Sequence, residues 1–573
     1  MPALTIDGIK VTVDAGSTIL NACKKLGIDV PTLCYHEDQD IKAICRICCV
    51  EIEGQRTFQA ACSFPVSEGM VVKTNTPAVR EARKVNVEMI LAHHPQDCLQ
   101  CPRNLNCELQ TLAEKMGIRE VRFERGLREY PKETSNPSIV RDPTKCIACR
   151  RCVYACHEVQ GAGVIYPVDR GYDTTVMTFF EKPLTEVACT FCGQCIQACP
   201  VGAIYEKEYI DEVWAAINDP QKHVVVQTAP AVRVSLGEEV GMAPGSIVTG
   251  KMVSALRRLG FDAVFDTDFT ADLTIIEEGN ELIHRVRNGG VLPMITSCSP
   301  GWINFIEHYY PELLPHLSTC KSPQQMFGAL AKTFYPEKTG INPADIVVVS
   351  IMPCTAKKFE AARPEMRSSG FQDVDYVLTT RELGRMIREA GIDFNALPVE
   401  EFDPPLGIST GAAAIFGATG GVMEAALRTV YEVLAGEEMP SLDITAVRGL
   451  EGVKATEVDI AGLKVKAAVA HSLGHARKVL DQVKAGKADY HFIEIMCCPG
   501  GCIGGGGQSI PTTMAKRAER IKAIYEVDRD MPIRKSHENP AIKAIYNEFL
   551  KEPLGHKSHE LLHTHYTRKS RWE

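Results

Sequence analysis

The stretch CTFCGQCIQACP, from Cys189 to Pro200, places four cysteines in eleven residues at the spacing C-x2-C-x2-C-x3-C. An earlier stretch, CIACRRCVYAC, from Cys146 to Cys156, repeats the same spacing. The chain has 23 cysteines, an odd number, and most of them lie in tight clusters of this kind. A disulfide framework would need an oxidising compartment, and nothing in the sequence indicates export. The clusters therefore predict metal-ligating thiolates.

The repeated spacing distinguishes between kinds of metal centre. Zinc sites usually combine two C-x2-4-C pairs, whereas three thiolates at C-x2-C-x2-C with a fourth cysteine behind them are typical of paired 4Fe–4S clusters. In such proteins the fourth cysteine of each run binds the other cluster. We therefore predict a two-cluster ferredoxin-like domain over residues 138–210. Its ligand sets are Cys146, Cys149, Cys152 and Cys199 for one cluster, and Cys189, Cys192, Cys195 and Cys156 for the other.

Length and composition limit the class of protein. The 573 residues exceed what one hydrophobic core supports, so several domains are expected. The composition is ordinary for a globular protein, and the net charge of -9 argues against a nucleic-acid partner. The sequence shows neither a signal peptide nor an apolar run of about 18 residues. We expect a cytoplasmic protein without a membrane span.

The first 77 residues predict a small β-grasp domain. Apolar alternation flanks Asp7-Gly8, which indicates a hairpin, and Ser17 or Thr18 can cap a helix that stops at Gly27. A C-x2-C pair with two distant cysteines on such a unit suits a 2Fe–2S cluster in a variant of the plant-type spacing, and a structural zinc site is the alternative. The candidate ligands are Cys34, Cys45, Cys48 and Cys62.

Residues 78–125 predict a small, mostly helical module with a histidine–cysteine set at H-x3-C-x2-C-x5-C. Spacing alone fits zinc and a 4Fe–4S cluster equally well. The position between two redox modules favours iron–sulfur, because zinc would not carry electrons. The candidate ligands are His94, Cys98, Cys101 and Cys107, with His93 as a competitor of His94.

From residue 220 to 573 the sequence predicts an α/β domain with three separated thiol motifs. TSCSPGW (296–302), MPCTAKKFE (352–360) and EIMCCPGGCIGGGGQ (494–508) each follow an apolar run. The carboxyl ends of strands are where α/β domains place their sites, so we expect the three motifs to meet. The glycines around Cys502 allow the backbone to approach a bulky ligand. Isolated buried cysteines, the alternative, do not explain three such motifs.

These motifs, together with the cluster modules, resemble the iron-only (diiron) hydrogenases along essentially the whole chain, in the module order of the long clostridial type. The resemblance implies an H-cluster, a 4Fe–4S cube joined to a diiron unit with CO, cyanide and an azadithiolate. It assigns Cys354, Cys498 and Cys502 to the cube, with Cys502 as the bridging thiolate. It also assigns Lys357, Ala229 and Pro230 to cyanide contacts, and Met352 and Met496 to the wall around the diiron unit.

The family's proton path corresponds to Cys298, Glu278, Ser318, Glu281 and Arg285 here. The helical segment IIEEGNELIHR places Glu278 and Glu281 three residues apart, on one face. Without the resemblance, this pair would be read as a solvated face.

The chain departs from the family at TSCSP, where the usual pattern is TSCCP. Ser299 therefore stands where the fourth cube ligand belongs, and a hydroxyl is a poor ligand for such a cube. Three interpretations follow. Ser299 binds and Cys298 relays protons; Cys298 shifts into the ligand position and leaves the relay to water or Ser299; or Cys497, the extra thiol beside Cys498, supplies the ligand or the relay. Because a slip is cheap in a Gly/Pro-bounded turn, the sequence slightly favours a Cys298 ligand.

The resulting prediction is a hydrogenase that interconverts H2 and protons, with one 2Fe–2S cluster, three accessory 4Fe–4S clusters and an H-cluster. Its electron partner would be ferredoxin or a flavin- and NAD(P)-binding subunit, with a small iron–sulfur subunit, as in electron-bifurcating complexes. The N-terminal modules also resemble the electron-input subunit of respiratory NADH dehydrogenase. The alternatives are therefore a non-catalytic electron-transfer subunit, which leaves the three C-terminal motifs unexplained, and a hydrogen sensor, which would add a signalling domain.

Overall fold

The computed structural model describes residues 1–124, 126–460 and 462–571. Residue 125, where the second predicted module ends, lies outside the described residues, as do residues 461, 572 and 573 of the last predicted domain. Among the described helices, none combines the length and the apolar character that a membrane crossing needs.

The N-terminal module is a β-grasp unit, as predicted. Its five-stranded sheet has the order β2-β1-β5-β3-β4, with β1 antiparallel to β2 and parallel to β5. Helix α1 (Ile19–Lys25) begins where the Thr18 hydroxyl accepts a hydrogen bond from the Asn21 backbone N–H, at 3.3 Å, so Thr18 is the cap. The strands are β1 (Ala3–Ile6), β2 (Ile9–Thr12), β3 (Cys49–Ile52), β4 (Gln59–Ala60) and β5 (Val71–Lys73).

The two middle modules are small. Helices α2 (Pro77–Ala92) and α3 (Glu108–Lys115) flank the loop that carries the predicted histidine–cysteine set. The third module has two-stranded sheets and two short helices, each of which contains the third cysteine of one triplet. Its elements are β6 (Ile139–Arg141), α4 (Arg151–Tyr154), β7 (Ile165–Val168), β8 (Thr175–Thr178), α5 (Gln194–Ala198) and β9 (Ile204–Glu206).

The C-terminal domain contains two four-stranded sheets with helices packed around them. The first has the order β11-β10-β13-β14 and is parallel throughout, and the second has the order β12-β17-β16-β15, with only β15 antiparallel. Strand β10 stops before Pro230, earlier than its apolar run suggests, because proline cannot donate to a ladder. The strands are β10 (His223–Thr228), β11 (Ala263–Asp266), β12 (Met294–Ile295), β13 (Ile346–Met352), β14 (Tyr376–Thr379), β15 (Val453–Ile460), β16 (Leu463–His471) and β17 (Phe492–Met496).

Helix α8 is the longest helix of this domain and carries both glutamates of the predicted proton path. The helices are α6 (Ile210–Ile217), α7 (Thr249–Leu259), α8 (Thr267–Asn288), α9 (Pro300–Tyr309), α10 (Pro323–Ala331), α11 (Phe334–Thr339), α12 (Ala356–Ala361), α13 (Thr380–Glu389), α14 (Gly411–Ala414), α15 (Gly421–Ala435), α16 (Leu473–Lys484), α17 (Met514–Asp530), α18 (Pro540–Ile545) and α19 (His556–Leu562).

The carboxyl ends of four strands bring the predicted motifs to one place, as expected. Thr228 pairs with Ile351 in the first sheet, so Ala229 follows β10 beside the end of β13. In the second sheet, Ile295 pairs with Ile493, so the segments after β12 and β17 leave the sheet on the same side. Each of the three thiol motifs therefore follows a parallel strand.

Arg381, on α13, joins the third module to the glycine-rich turn of the C-terminal domain. Its guanidinium donates to Glu206 Oε2 at 2.7 Å, to the Gln508 carbonyl oxygen at 2.5 Å and to the Gly506 carbonyl oxygen at 2.9 Å. Burial by itself would raise the pKa of Glu206, but Arg381 and Arg385 lower it overall. A carboxyl group whose pKa is lower in the folded than in the unfolded protein stabilises the fold at pH values above its unfolded pKa. The stabilisation that Glu206 contributes is therefore lost as the pH falls.

We expect Arg381→Met to lower the free energy of unfolding by about 3–5 kcal/mol, because it leaves Glu206 buried with one partner fewer. The loss should shrink in acid, where Glu206 is protonated. Urea unfolding of the two proteins at neutral and acidic pH measures both effects. Arg388→Met is the matched control, since Arg388 forms a longer, more exposed ion pair with Glu239 at 3.7 Å and should cost less than about 1 kcal/mol. An equal loss in both variants would contradict the prediction.

Candidate functional site

Cysteines from both runs of the third module lie close together in space. Four cysteines from both runs line one cavity with an empty volume of about 410 Å³: Cys146, Cys149, Cys152 and Cys199. The second group is also assembled, since the thiolate charges of Cys192, Cys189 and Cys156 add to burial in raising the pKa of Cys195. A thiol whose pKa is raised by neighbouring thiols is stabilised as a thiolate once a cation binds between them.

The second cysteine group lies against the C-terminal domain. A Cβ on Gly193 would clash with Thr355 and would lie 3.0 Å from the Cα of Gly506, so only glycine allows this approach. Gln197 Nε2 donates to the carbonyl oxygens of Gly505 (3.0 Å) and Gln508 (2.8 Å) in the glycine-rich turn. The ferredoxin-like module is thereby held directly beside the third thiol motif.

The four N-terminal cysteines are brought together in the β-grasp unit. The Cys45 backbone N–H donates to Cys34 Sγ at 3.5 Å, and a hydrogen bond from the Cys45 thiol lowers the pKa of Cys34 to about 5. A hydrogen bond from Cys62 likewise lowers the pKa of Cys48 to about 7, and the charge of Cys34 raises it. These contacts place two thiol pairs within electrostatic range of each other, which suits a four-thiolate centre.

The structure separates the two candidate histidines of the second module. His93 Nδ1 lies 3.2 Å from the Gly126 carbonyl oxygen, so this nitrogen has a partner. His94 is buried, and its Nδ1 finds no hydrogen-bond partner among the described residues. Burial, followed by the charge of Lys145, lowers the pKa of His94 to about 4. A neutral imidazole with one free nitrogen is the form that binds a metal, so His94 fits the ligand role better than His93.

The three C-terminal thiol motifs line one cavity with an empty volume of about 730 Å³. The thiols of Cys354, Cys498 and Cys502 are close neighbours, since Cys498 and Cys502 add to burial in raising the pKa of Cys354. The remaining wall is largely apolar and includes Ala229, Pro230, Pro323, Met352, Phe416 and Met496. Soft thiolates on one side and an apolar wall on the other suit an iron–sulfur cube with an attached cofactor.

Lys357 places a positive charge at this cavity. Its Nζ donates to the Cys298 carbonyl oxygen at 3.2 Å and to Glu360 Oε2 at 2.9 Å. Glu360 also accepts from Ser322 Oγ (2.8 Å) and Gln324 Nε2 (3.1 Å), so the ion pair is held from both sides. The lysine is thereby fixed in orientation and can donate to an anionic ligand in the cavity.

The residues of the predicted proton path lie between the cavity wall and α8. Burial, followed by the charge of Glu278, raises the pKa of Cys298 well above its usual value. Burial, followed by the charge of Glu281, raises the pKa of Glu278 to about 8, and neither oxygen of Glu278 has a hydrogen-bond partner among the described residues. Ser318 Oγ donates to Glu281 Oε2 at 2.8 Å, and Arg285 pairs with Glu281 at 2.6 Å.

The turn at the first thiol motif keeps Ser299 directly before helix α9. The Ser299 carbonyl accepts from the backbone of Trp302 (3.0 Å) and Ile303 (3.1 Å), and its hydroxyl accepts from the Cys497 backbone N–H at 3.2 Å. The Cys497 thiol accepts from Gln160 Nε2 at 3.7 Å and is hydrogen-bonded to Cys192 and Cys498. Cys298, Ser299 and Cys497 all line the cavity, so the fourth ligand stays a prediction.

Five family models match successive parts of the chain in the order that the sequence predicts. Three match the N-terminal half: a 2Fe-2S iron-sulfur cluster binding domain at residues 3–77, the NADH-ubiquinone oxidoreductase-G iron-sulfur binding region at 83–122, and the ferredoxin-like domain of NADH-quinone oxidoreductase subunit 3 at 136–205. Two match the rest: the C-terminal domain of the iron only hydrogenase large subunit at 222–506 and the iron hydrogenase small subunit at 514–569.

Whole-length relatives support the same grouping. The chain is 51% identical over 585 residues to NADP-reducing hydrogenase subunit HndD of Solidesulfovibrio fructosivorans, covering 100% of both chains. The chain belongs to the iron-only hydrogenases. This hydrogenase is also 42% identical to iron hydrogenase 1 of Clostridium pasteurianum, covering 99% of its own length and 100% of that protein. A solved [FeFe]-hydrogenase of Chlamydomonas reinhardtii matches with a TM-score of 0.57 and 45% identity, over 63% of this chain and 99% of that one.

The comparisons confirm the predicted fold class and module order. The protein is an iron hydrogenase, an oxidoreductase with accessory iron–sulfur domains and an H-cluster domain. The individual ligands and the number of clusters stay predictions.

Sequence reasoning missed several residues that shape this hydrogenase's site. Gln160 links the modules, because its Nε2 donates to Cys497 Sγ and its Oε1 accepts from the Leu473 backbone N–H at 3.1 Å. No spacing signal marks it, since its partners are more than 300 positions away. Glu360 could have been found, because it stands three residues after Lys357 on the same helical face.

Proposed function

We propose that this hydrogenase interconverts H2 with two protons and two electrons in the cavity formed by the three C-terminal thiol motifs. Cys354, Cys498 and Cys502 would hold the cube, with Cys502 also bridging to the diiron unit. The observation that carries this proposal is the single cavity that combines these thiols with Lys357 and leads to the buried carboxyl of Glu278. When bound, the H-cluster supplies the open iron position at which H2 is cleaved or formed.

The residues of the cavity wall would orient that group and keep water away from it. Lys357 would donate to one cyanide, and the backbone around Ala229 and Pro230 would contact the other. Met352 and Met496 would pack on the diiron unit, since thioethers fill irregular apolar gaps. Their support is that all of these residues line the same cavity.

Cys298 would relay protons between the cavity and Glu278, and the path would continue through Ser318 and Glu281. Two observations support this role. The charge of Glu278 helps to raise the pKa of Cys298, and the Ser299 carbonyl oxygen accepts from the Trp302 and Ile303 backbone N–H groups, which fixes Ser299 at the start of helix α9. This reverses the slight preference that the sequence gives to a Cys298 ligand. The fourth cube ligand would then be Ser299 or Cys497.

The accessory centres would carry electrons between the surface and the cavity. We propose the domain limits 1–77, 78–125, 138–210 and 220–573, with the first three as electron-transfer modules. The ligand sets would be Cys34, Cys45, Cys48 and Cys62; His94, Cys98, Cys101 and Cys107; Cys146, Cys149, Cys152 and Cys199; and Cys189, Cys192, Cys195 and Cys156.

The matured protein should contain one 2Fe–2S cluster, three accessory 4Fe–4S clusters and one H-cluster. Support comes from cysteines of three of the five sets that lie together: Cys146, Cys149, Cys152 and Cys199 line one cavity, Cys354, Cys498 and Cys502 line another, and Cys34 contacts Cys45. Iron and sulfide analysis with electron paramagnetic resonance of the reduced protein measures this content. Zinc at His94, Cys98, Cys101 and Cys107 in place of iron would contradict it.

The partner of this hydrogenase would be a flavin- and NAD(P)-binding subunit with a small iron–sulfur subunit, with ferredoxin as a further electron carrier. The support is the end-to-end similarity to an NADP-reducing hydrogenase subunit. A cytoplasmic location would keep the many cluster thiols reduced. Purification of the native protein, identification of the co-purifying subunits and assays of H2-dependent NAD⁺, NADP⁺ and ferredoxin reduction test the proposal. A protein that purifies alone and reduces only ferredoxin would contradict the complex.

We expect Glu278→Gln to lower H2 turnover by about 10²–10⁴-fold, because the amide cannot pass a proton from Cys298 to Ser318. The raised pKa of about 8 means that the folded protein holds this proton more tightly than the unfolded chain. The stabilisation from this more tightly held proton is complete below about pH 4.3, and it is lost as the pH rises through the pKa of Glu278 in the folded protein. The variant should therefore lose less stability than the wild type between about pH 4.3 and about pH 8.

Turnover assays and urea unfolding at several pH values measure the two effects of Glu278→Gln. Infrared bands of CO and cyanide serve as the control, since an assembled H-cluster separates a proton defect from a maturation defect. Unchanged turnover with normal bands would remove Glu278 from the path.

A further inference from the structure

Arg285, the last residue of the family's proton path, is poorly suited to release a proton. Its guanidinium donates to Glu281 Oε1 from Nε at 3.1 Å and from Nη2 at 2.6 Å. Its remaining N–H groups point to the carbonyl oxygens of Val291 (3.2 Å), Pro315 (3.3 Å), His316 (3.4 Å) and Leu317 (2.7 Å). A guanidinium stays protonated at all physiological pH values. Arg285 therefore holds the Glu281 carboxylate in place, and the proton needs another outlet.

The other oxygen of Glu281 faces a hydrogen-bonded chain that leads away from Arg285. Glu281 Oε2 accepts from the Thr319 backbone N–H at 3.1 Å and lies 3.5 Å from Thr319 Oγ1. Thr319 Oγ1 lies 2.8 Å from His563 Nδ1, and His563 Nε2 lies 3.2 Å from Glu277 Oε2. A hydroxyl and an imidazole can each accept a proton on one side and give one up on the other.

The C-terminal segment is fixed in this position by backbone hydrogen bonds. The Lys321 N–H donates to the Leu562 carbonyl oxygen, and the Thr564 N–H donates to the Thr319 carbonyl oxygen, both at 2.8 Å. His563 is 8% exposed, and its ring centroid lies 4.3 Å from that of His559, which is exposed. The buried chain that starts at Glu281 thus ends at His563, a slightly exposed side chain that lies beside an exposed histidine.

Several groups surround His563. Glu277 and Glu281 face it from α8, Cys320 and Thr319 face it from the segment before α10, and His559 lies one turn earlier on α19. Tyr546 donates to Glu277 Oε1 at 2.5 Å, and the Leu554 backbone N–H donates to Glu277 Oε2, the oxygen that faces His563, at 2.9 Å. This carboxylate is therefore held where it stabilises a positively charged His563.

We propose that protons pass between Glu281 and solvent through the hydroxyl of Thr319 and the imidazole of His563, with Arg285 acting only as the positioning residue of Glu281. In the outward direction, the Glu281 carboxyl gives its proton to Thr319 Oγ1 while the hydroxyl proton of Thr319 moves to His563 Nδ1. The imidazolium then gives up its Nε2 proton, which lies toward Glu277 at 3.2 Å, to water that reaches the slightly exposed His563 beside His559. Inward transfer reverses these steps. The inference rests on the proposed proton path from Cys298 to Glu281.

The test uses His563→Ala in the full-length, matured protein with its co-purifying subunits. We expect H2 turnover to fall by about 10²-fold or more, as for loss of a general acid–base group, and added imidazole to restore a large part of it. Thr319→Val should reduce turnover without affecting the C-terminal contacts of the backbone, and imidazole should not restore it. The CO and cyanide infrared bands should be normal in both variants.

His537→Ala is the matched control, because His537 contacts the same kinds of group away from the path. Its Nδ1 lies 3.2 Å from Thr429 Oγ1, and its Nε2 lies 3.0 Å from Glu432 Oε2. Its turnover should equal that of the wild type. Wild-type turnover in His563→Ala would overturn the proposal, as would a loss with normal infrared bands that imidazole does not restore. An inactive wild type with an assembled H-cluster would instead contradict the proposed function.

Discussion

Cys298→Ala should leave the H-cluster assembled and reduce H2 turnover by about 10²–10⁴-fold. Three observations support a relay role. Cys298 borders the cavity, and the charge of Glu278 helps to raise its pKa. The next residue, Ser299, is fixed at the start of helix α9 by backbone hydrogen bonds. The variant lacks the thiol through which a proton would pass between the cavity and Glu278. Turnover assays, H/D exchange and infrared spectra of the CO and cyanide ligands measure the effect.

Two control variants separate the interpretations of this motif. Ser299→Ala and Cys497→Ala each remove one candidate for the fourth cube ligand and leave Cys298 in place. Loss of the H-cluster bands in one of them, with retention in Cys298→Ala, identifies that residue as the ligand. Loss of the bands in Cys298→Ala would refute the relay and make Cys298 the ligand. An active, spectroscopically normal Cys298→Ala protein would exclude both roles.

Cys195→Ala should abolish activity with an external electron carrier while H/D exchange at the catalytic cavity persists. Cys195 lies in the cysteine group that packs beside the glycine-rich turn, so its cluster would be the last one before the cavity. Carrier-linked turnover needs electrons to cross this cluster, whereas exchange between H2 and deuterons requires no net electron transfer. Parallel assays with a reduced dye and with D2O distinguish the two activities.

Cys23→Ala is the matched control for the electron path, because its thiol is fully buried in the β-grasp core and belongs to none of the ligand sets. It should keep both activities. If Cys195→Ala loses carrier-linked turnover and exchange to the same extent, the cluster has a structural role and the proposed electron path through it is wrong.

Short-range patterns were enough to predict the module order. The cysteine spacings at residues 146–156 and 189–199 report how thiolates surround one cluster, so sequence alone predicted two crossed ligand sets, and the four cysteines of one predicted set line one cavity. The hairpin at Asp7-Gly8 and the cap at Thr18 were likewise local, because turn and cap chemistry involve residues only a few positions apart.

The sequence by itself determined the fold class, the cluster modules and the three thiol motifs, because each is encoded by residue types at fixed, short spacing. Only the tertiary structure showed that His93 Nδ1 has a hydrogen-bond partner while His94 Nδ1 has none among the described residues, connected Gln160 to Cys497, and placed Thr319 and His563 beside Glu281. These contacts join residues tens to hundreds of positions apart, and they depend on which nitrogen or oxygen is already paired. Packing between modules determines this pairing, and a local sequence pattern contains no information about that packing.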